Sequence, residues 1–120
     1  MTAAPKAKYK LLILIKRRPG MSLEQFREHY EERHVKFAVD MAAAVSMCHY
    51  SRRYLQPISG GEFDYDVLTE CWFDDRARFE AVVAGMAKGK LSPEIVEDEE
   101  RFMDRAKTRF FTVTECESPL

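Results

Sequence analysis

The chain has 120 residues, of which 46% are hydrophobic and 32% charged, with a net charge of -1 at neutral pH. This composition is typical of a soluble globular protein and excludes a disordered chain. The charge balance predicts neither a nucleic-acid partner nor a membrane surface as partner. One apolar run, residues 11–15, is too short to span a bilayer or act as a secretory signal, so we expect a cytoplasmic protein. The length predicts a single domain over residues 1–120, with a core from about 8 to 115.

The chain begins with a strand and a helix joined by a turn. Residues 8–16, KYKLLILIK, contain aliphatic residues without Gly or Pro and predict a strand that is apolar on both faces. A Pro-Gly pair at 19–20 indicates a turn, and Ser22 with Gln25 forms a capping box that begins a helix. Apolar residues recur at helical spacing as far as Met41, where we expect this helix to end.

The rest of the chain continues as alternating strands and helices. Alternating polarity, aromatic residues and helix-start signals divide it into two strands, two helices and a last strand. These elements are expected at residues 45–57, 64–73, 74–89, 92–102 and 108–115.

This order predicts an α+β domain of the ferredoxin-like type, βαββαβ with an extra short helix and a four-stranded antiparallel sheet. Its helices cover only one face of the sheet. Because the first and last strands lack clean alternation, the other face would be left apolar. A second copy of the chain is the simplest cover, so we expect a homodimer.

Two segments carry a family resemblance: KRRPGMSLEQFREHYEERH and FDYDVLTECWFDDRARFEAV. Together they resemble the EthD family of the dimeric α/β-barrel superfamily, and the likeness extends over about residues 8–115. The resemblance implies a small enzyme of aromatic or polyketide-like compound metabolism. Relatives in that superfamily include decarboxylases, cyclases, isomerases and cofactor-free oxygenases.

The first helix carries two histidines, of which one is the candidate catalytic residue. At about 100° per residue, His34 lies on the apolar stripe between Tyr30 and Phe37, whereas His29 lies on its flank or toward solvent. Histidine suits proton transfer near neutral pH, and a tyrosine one turn earlier can hydrogen bond beside it. We therefore interpret His34 and Tyr30 as catalytic and expect Phe37 to contact the substrate. The alternative is a core histidine held by a backbone carbonyl or a carboxylate.

Strand residues supply the other candidates for substrate binding. Asp66, Glu70 and Trp72 share one face of their strand, and if that face meets the helices they can orient His34 or wall an aromatic pocket. Alternatively, the two carboxylates pair with Arg52, Arg53 or Lys16 at a strand end or at the edge of the dimer. His49, on the preceding strand, is a further candidate for the pocket.

No metal or other cofactor is expected. His29 and His34 are five residues apart, whereas two ligands on one helix face are three or four apart. Three cysteines have no CxxC spacing and predict reduced residues of the core or strands. The acidic run 97–100 is interpreted as a solvated helix face.

Three functions remain open from these residues. The first is cofactor-independent lyase, cyclase, decarboxylase or isomerase chemistry on a small aromatic substrate, with His34 as general acid or base. The second is a non-catalytic dimeric binding or accessory protein in a degradation pathway. The third is a cofactor-free monooxygenase.

Overall fold

An antiparallel sheet of four strands carries the helices on one face, in a computed structural model that describes residues 8–61 and 63–120. The strands are β1 (Tyr9–Ile15), β2 (Met47–Tyr54), β3 (Val67–Phe73) and β4 (Arg109–Thr112). The helices are α1 (Leu23–His29), α2 (Val35–Val45), α3 (Arg76–Ala87) and α4 (Pro93–Phe102), with a π-helical turn (Tyr30–His34) between α1 and α2. The predicted α+β class and ferredoxin-like element order are confirmed.

The sheet has the strand order β2-β3-β1-β4, and every neighbouring pair is antiparallel. Helical crossovers join β1 to β2 and β3 to β4, so that the central strands β1 and β3 lie side by side, as in a split βαβ unit. The last strand is shorter than the predicted range 108–115 and lies at the edge of the sheet.

The first helix begins as the sequence predicts. The Ser22 hydroxyl accepts a hydrogen bond from the Gln25 amide at 3.1 Å, and the Gln25 side chain accepts one from the Ser22 amide at 3.0 Å. Gly20 turns the chain before it with φ +81°, a conformation that glycine adopts without steric cost. The predicted end at Met41 is wrong, because the helix continues through the alanines that follow to Val45.

A π-helical turn interrupts the regular hydrogen bonding between α1 and α2. The Val35 amide donates to the carbonyl of Tyr30, five residues earlier, instead of the usual four. Backbone angles stay right-handed on both sides, so α1, the turn and α2 form one continuous helical rod. The turn therefore changes the direction of the side chains after it without breaking the helix.

Residues of β3 alternate strictly between the two faces of the sheet. Val67, Thr69, Cys71 and Phe73 are buried beneath the helices, whereas the residues between them are only partly buried. The condition under which Glu70 and Trp72 would meet the helices is therefore not fulfilled. The sequence pattern of this strand is compatible with either facing, and only the packing of the helices decides between them.

Cysteines are free at all three positions. Cys71 is a buried strand residue and Cys48 is an exposed strand residue, and both agree with the prediction of reduced cysteines in the core or in strands. Cys116 is exposed and follows β4, so its prediction as a core or strand residue is wrong.

Candidate active site

A cavity of about 110 Å³ lies between the helices and the covered face of the sheet. Its walls are mainly aliphatic and aromatic and come from all layers of the domain; they include Leu11, Ile13, Phe37, Met41, Cys71 and Phe73. Six side chains with imidazole, carboxyl or hydroxyl groups also reach it: Tyr30, His34, Tyr50, Thr69, Glu99 and Thr108. Such a cavity, apolar with a few convergent polar groups, is the usual form of a small-molecule site.

His34 is held at the wall of this cavity by Asp98. Its Nδ1 lies 2.8 Å from Oδ2 of Asp98, a carboxylate on α4 whose side chain is 5% exposed. Because an ionised carboxylate only accepts hydrogen bonds, Nδ1 must carry the proton and donate it. The other ring nitrogen, Nε2, has no hydrogen-bond partner among residues 8–61 and 63–120. In the neutral ring this nitrogen carries the free lone pair.

His29 binds the second oxygen of the same carboxylate, which corrects its predicted place on the flank or solvent face. Its Nε2 lies 2.9 Å from Oδ1 of Asp98, and its ring stacks on Phe102 at 4.8 Å. In a regular α-helix two residues five apart point about 140° away from each other. The π-helical turn brings residues five apart into line, so both histidines meet Asp98.

Burial and hydrogen bonding set the charges of this cluster. Burial lowers the pKa of His34 below its ordinary value and outweighs the opposing effect of Asp98. Burial acts to raise the pKa of Asp98, but the hydrogen bonds from His34 and His29 lower it below the ordinary value. Near neutral pH the favoured state is therefore a neutral His34 beside an ionised Asp98.

A short chain of hydroxyl groups lies on the sheet side of the cavity. The Tyr30 and Thr69 hydroxyls are 2.6 Å apart, and the Tyr50 hydroxyl donates to that of Tyr30 at 3.3 Å. Burial raises the pKa of Tyr30 well above its ordinary value and that of Tyr50 to about 12. These tyrosines are therefore neutral hydrogen-bonding groups at physiological pH.

The structure thus brings three of the predicted site residues together. The ring of Tyr30 meets that of His34 edge-on at 5.6 Å, and Phe37 lies 5.7 Å from His34 on its other side. All three line the cavity. Their catalytic and substrate-binding roles stay predictions.

His49, Glu70 and Trp72 lie on the opposite face of the sheet. His49 stacks on Trp72 at 4.2 Å, with the Lys10 ammonium 4.1 Å from the centre of the indole ring. Glu70 accepts a hydrogen bond from Arg53 at 3.1 Å. These side chains do not reach the cavity with His34, which corrects their predicted grouping.

Asp66 has a structural role at the start of β3. Its carboxylate accepts a hydrogen bond from the Arg17 amide at 2.8 Å and lies 3.6 Å from the Lys16 ammonium. Together with the Arg53 pair of Glu70, this matches the alternative in which the two carboxylates pair with basic residues.

Besides Tyr50 and Thr69 of the hydroxyl chain, sequence reasoning missed Asp98 and Glu99. Both are buried, so the interpretation of the run 97–100 as a solvated face is wrong at these two positions. Ile95 and Phe102 flank them at spacings that place all four side chains on one side of α4. This spacing was the available signal, because two carboxylates inside an apolar stripe need buried partners.

Comparisons with known proteins agree with this architecture. The chain matches the EthD domain over residues 18–106. An ethyl tert-butyl ether D (EthD) family protein of Bacillus halodurans is similar with a TM-score of 0.62 and 16% identity, covering 90% of this chain and 99% of that one. A hypothetical protein of Arabidopsis thaliana has a TM-score of 0.58 and 17% identity, covering 96% and 94%. A dimeric protein of unknown function with a ferredoxin-like fold, from Bacteroides fragilis, has a TM-score of 0.55 and 14% identity, covering 88% and 94%.

The sheet topology and these similarities define a ferredoxin-like domain. Since the family match covers most of the chain, the protein belongs to the EthD domain family. A search of curated protein sequences finds no significant match.

The described residues contain neither a metal-binding cluster nor a helix that could span a membrane. Within residues 8–61 and 63–120, no three His, Cys, Asp or Glu side chains are arranged to hold a metal ion. In the same part of the chain, every helix is too short or too polar to cross a bilayer.

Proposed function

We propose that this protein is a proton-transfer enzyme acting on a small, largely apolar carbonyl compound, with His34 as general base. One observation carries the proposal: His34 lies at the wall of an apolar cavity with its two ring nitrogens in different states. Asp98 holds Nδ1, whereas Nε2 has no hydrogen-bond partner among the residues that the structure describes. A carboxylate that fixes one ring nitrogen leaves the other as the base, as in other His-carboxylate pairs.

The first chemical step is removal of a proton from a carbon or hydroxyl next to a carbonyl group. Cyclisation, isomerisation, decarboxylation and lyase reactions all use such a step, and it requires only a base and a donor for the developing oxyanion. Tyr50 is a suitable donor because its hydroxyl lines the cavity and makes a long bond, 3.3 Å to Tyr30. The buried Tyr30 hydroxyl, fixed by Thr69, orients it.

The cavity favours a ligand with about one ring. An apolar cavity of roughly 150 Å³ is known to bind benzene in another protein. The cavity here, about 110 Å³, is of the same order and has mainly apolar walls. The phenyl ring of Phe37 and the aliphatic side chains around it support binding of an aromatic ring.

Hydrogen exchange on a model ketone tests the base. Phenylacetone in D₂O exchanges the protons next to its carbonyl group, and mass spectrometry measures their replacement by deuterium. We expect the protein to accelerate this exchange and His34→Gln to reduce the acceleration by about 10² to 10⁴, the range for loss of a general base. His49→Gln, on the other face of the sheet, is the matched control and should retain the rate.

The same experiment separates catalysis from simple binding. If phenylacetone binds but exchanges no faster than in buffer, the protein is a binding module and His34 has a structural role. Equal rates for the wild type and His34→Gln would contradict the assignment of the base.

We also propose that the protein is a homodimer through the uncovered face of the sheet. That face carries apolar side chains from β1, β3 and β4, of which Phe111 is 44% exposed. The indole Nε1 of Trp72 on the same face is buried and unpaired among the described residues. Neighbours in Bacteroides fragilis and in an uncultured marine organism are described as dimeric, with TM-scores of 0.55 and 0.54.

A further inference from the structure

We propose that Glu99 is the proton donor that acts with His34 in this cavity, so that the site moves a proton between two carbon atoms of one substrate. The inference rests on the proposed function of His34 and deepens it by naming the substrate class. The substrate is a small unsaturated carbonyl compound in which a proton leaves one carbon and another is added two carbons away.

The first support is the position of Glu99. It follows Asp98 on α4, and since neighbouring helical residues point about 100° apart, the two carboxylates serve different surroundings. Asp98 binds the two histidines, whereas Glu99 lines the cavity that His34 also lines. A base and a carboxyl group therefore face the same apolar space.

The second support is the incomplete pairing of this buried carboxyl group. Glu99 is 7% exposed, and its Oε1 accepts one long hydrogen bond, 3.3 Å, from Arg105. Its Oε2 has no hydrogen-bond partner in the part of the chain that the structure describes. A carboxylate that is buried and only half paired is costly, and protonation relieves that cost.

The neighbours of Glu99 include groups that raise its pKa and groups that lower it. Burial raises its pKa above the ordinary value, the nearby Arg105 guanidinium opposes this, and the carboxylates of Asp98 and Glu100 add to the increase. Arg105 has 39% of its side chain exposed, so solvent screens its charge. From the other elements, the groups that line the cavity with Glu99 are the neutral His34, the hydroxyl groups of Tyr30, Tyr50, Thr69 and Thr108, and the Cys71 thiol.

The pKa values of the two groups are thus moved in opposite directions, which is the usual arrangement of an acid and a base in one site. In the reaction, Nε2 of His34 takes a proton from the carbon next to the carbonyl group, and the electron pair of that C–H bond moves into a dienolate. The O–H bond of Glu99 then breaks, and its proton is added to the distant carbon as the C=O bond re-forms. The substrate is isomerised without oxidant or reductant, and solvent returns a proton to Glu99 and removes one from His34.

A single probe, 1-phenylbut-3-en-1-one, distinguishes the two residues. Its exchange of the protons next to the carbonyl group in D₂O reports the base, and its isomerisation to the conjugated ketone, followed by ultraviolet absorbance, reports the base and the donor together. We expect His34→Gln to abolish the acceleration of both the exchange and the isomerisation of this probe. Glu99→Gln should reduce isomerisation by about 10² or more and lower the ratio of isomerisation to exchange at least tenfold.

Glu97→Gln is the matched control, because Glu97 is exposed on the same helix and pairs with Arg101. It should preserve the ratio of the wild type. Exchange without isomerisation in the wild type, or an unchanged ratio in Glu99→Gln, would overturn the role of Glu99 alone. Absence of both reactions would count against the proposed base, and with it against this assignment.

A second measurement does not depend on the probe. In protein carrying ¹³C-labelled glutamate carboxyl groups, one resonance should titrate at a higher pH than an ordinary glutamate and should vanish in Glu99→Gln but not in Glu97→Gln. A Glu99 resonance that titrates at or below the ordinary value would overturn the proposal.

Discussion

His34 and Asp98 are separated by 64 residues in the chain, yet His34 Nδ1 lies 2.8 Å from the Asp98 carboxylate. The contact joins the π-helical turn to α4, and both side chains are largely withdrawn from solvent. It therefore fixes the tautomer of His34 and at the same time ties the first helix to the last.

Replacing Asp98 by asparagine tests the tautomer. If the amide group of the new side chain turns toward His34, Nδ1 must accept instead of donate, and Nε2 then carries the proton and is no longer a base. We expect Asp98→Asn to reduce the exchange of phenylacetone by about 10² to 10⁴. Binding of phenylacetone, measured by calorimetry, should change little.

Glu97→Gln, on the exposed side of the same helix, is the control for Asp98→Asn. Both proteins should have the circular dichroism spectrum of the wild type. A fully active Asp98→Asn protein would show that this carboxylate does not control His34.

Replacing His29 by alanine should raise the pKa of His34. His29 competes for the same carboxylate, and its charge lowers the pKa of His34. Without His29, Asp98 interacts with His34 alone and stabilises its protonated form more strongly. NMR titration of the His34 ring protons measures the change, and a lower or unaltered pKa in His29→Ala would contradict it.

Removing the Tyr30 hydroxyl should cost stability because it leaves buried Thr69 without its partner. Tyr30→Phe is expected to lower the free energy of unfolding by about 1 to 3 kcal/mol, the usual cost of an unpaired buried polar group. Adding Thr69→Val removes the second hydroxyl, so the double variant should recover part of the loss. Urea denaturation of the three proteins measures both effects, and a double variant that is less stable than Tyr30→Phe would contradict the explanation.

The pH dependence of stability should change in Glu99→Gln. Because the pKa of Glu99 is raised in the folded state, folding binds a proton between the ordinary pKa and the raised one, and stability falls as pH rises through that window. Glutamine removes this loss. The melting temperature of Glu99→Gln should exceed that of the wild type at pH 8, and the difference should shrink toward zero at pH 4. A constant difference at both pH values would show that Glu99 does not titrate abnormally.

A charge placed on the uncovered face of the sheet should dissociate the proposed dimer. Phe111→Lys puts an ammonium group into the apolar face that the second copy would cover. Sedimentation should change from dimer to monomer at micromolar concentration. Trp72 is the single tryptophan of the sequence and lies on this face, so its emission should shift to longer wavelength.

Val39→Lys is the control for Phe111→Lys, since Val39 is an apolar side chain exposed on α2. It should sediment as the wild type does. A wild-type protein that is monomeric at micromolar concentration would contradict the dimer itself.

The fold was predictable because local signals agree with it. The capping box at Ser22, the Pro-Gly turn and the serine before Pro93 each set a helix start that the structure confirms. The order of the elements then limits the sheet to few topologies. The EthD resemblance agrees with the family match over residues 18–106.

The site was predictable only in part, because its geometry depends on contacts between distant elements. The apolar stripe of the first helix is enough to predict that His34 and Tyr30 point inward, even when their partners are not known. The facing of β3 is decided by which side the helices cover, so the sequence left open whether Glu70 and Trp72 reach the cavity, and in the structure they do not. Asp98 was missed because a carboxylate in an acidic run resembles a solvated residue until the histidines that bind it are known.

The π-helical turn has a consequence for how sequence length is tolerated in this protein. A helix that closes one hydrogen bond over five residues contains, in effect, one residue more than a regular helix of the same length. Deleting a residue from the turn would remove this surplus and let α1 and α2 join as an ordinary α-helix, so the residues after the deletion would keep their present orientation. Phe37 and Met41 would then still line the cavity, whereas a regular α-helix that retained every residue would turn them away from it by about 100°. The single surplus residue in the rod from Leu23 to Val45 therefore keeps the apolar residues of both α1 and α2 against the same sheet.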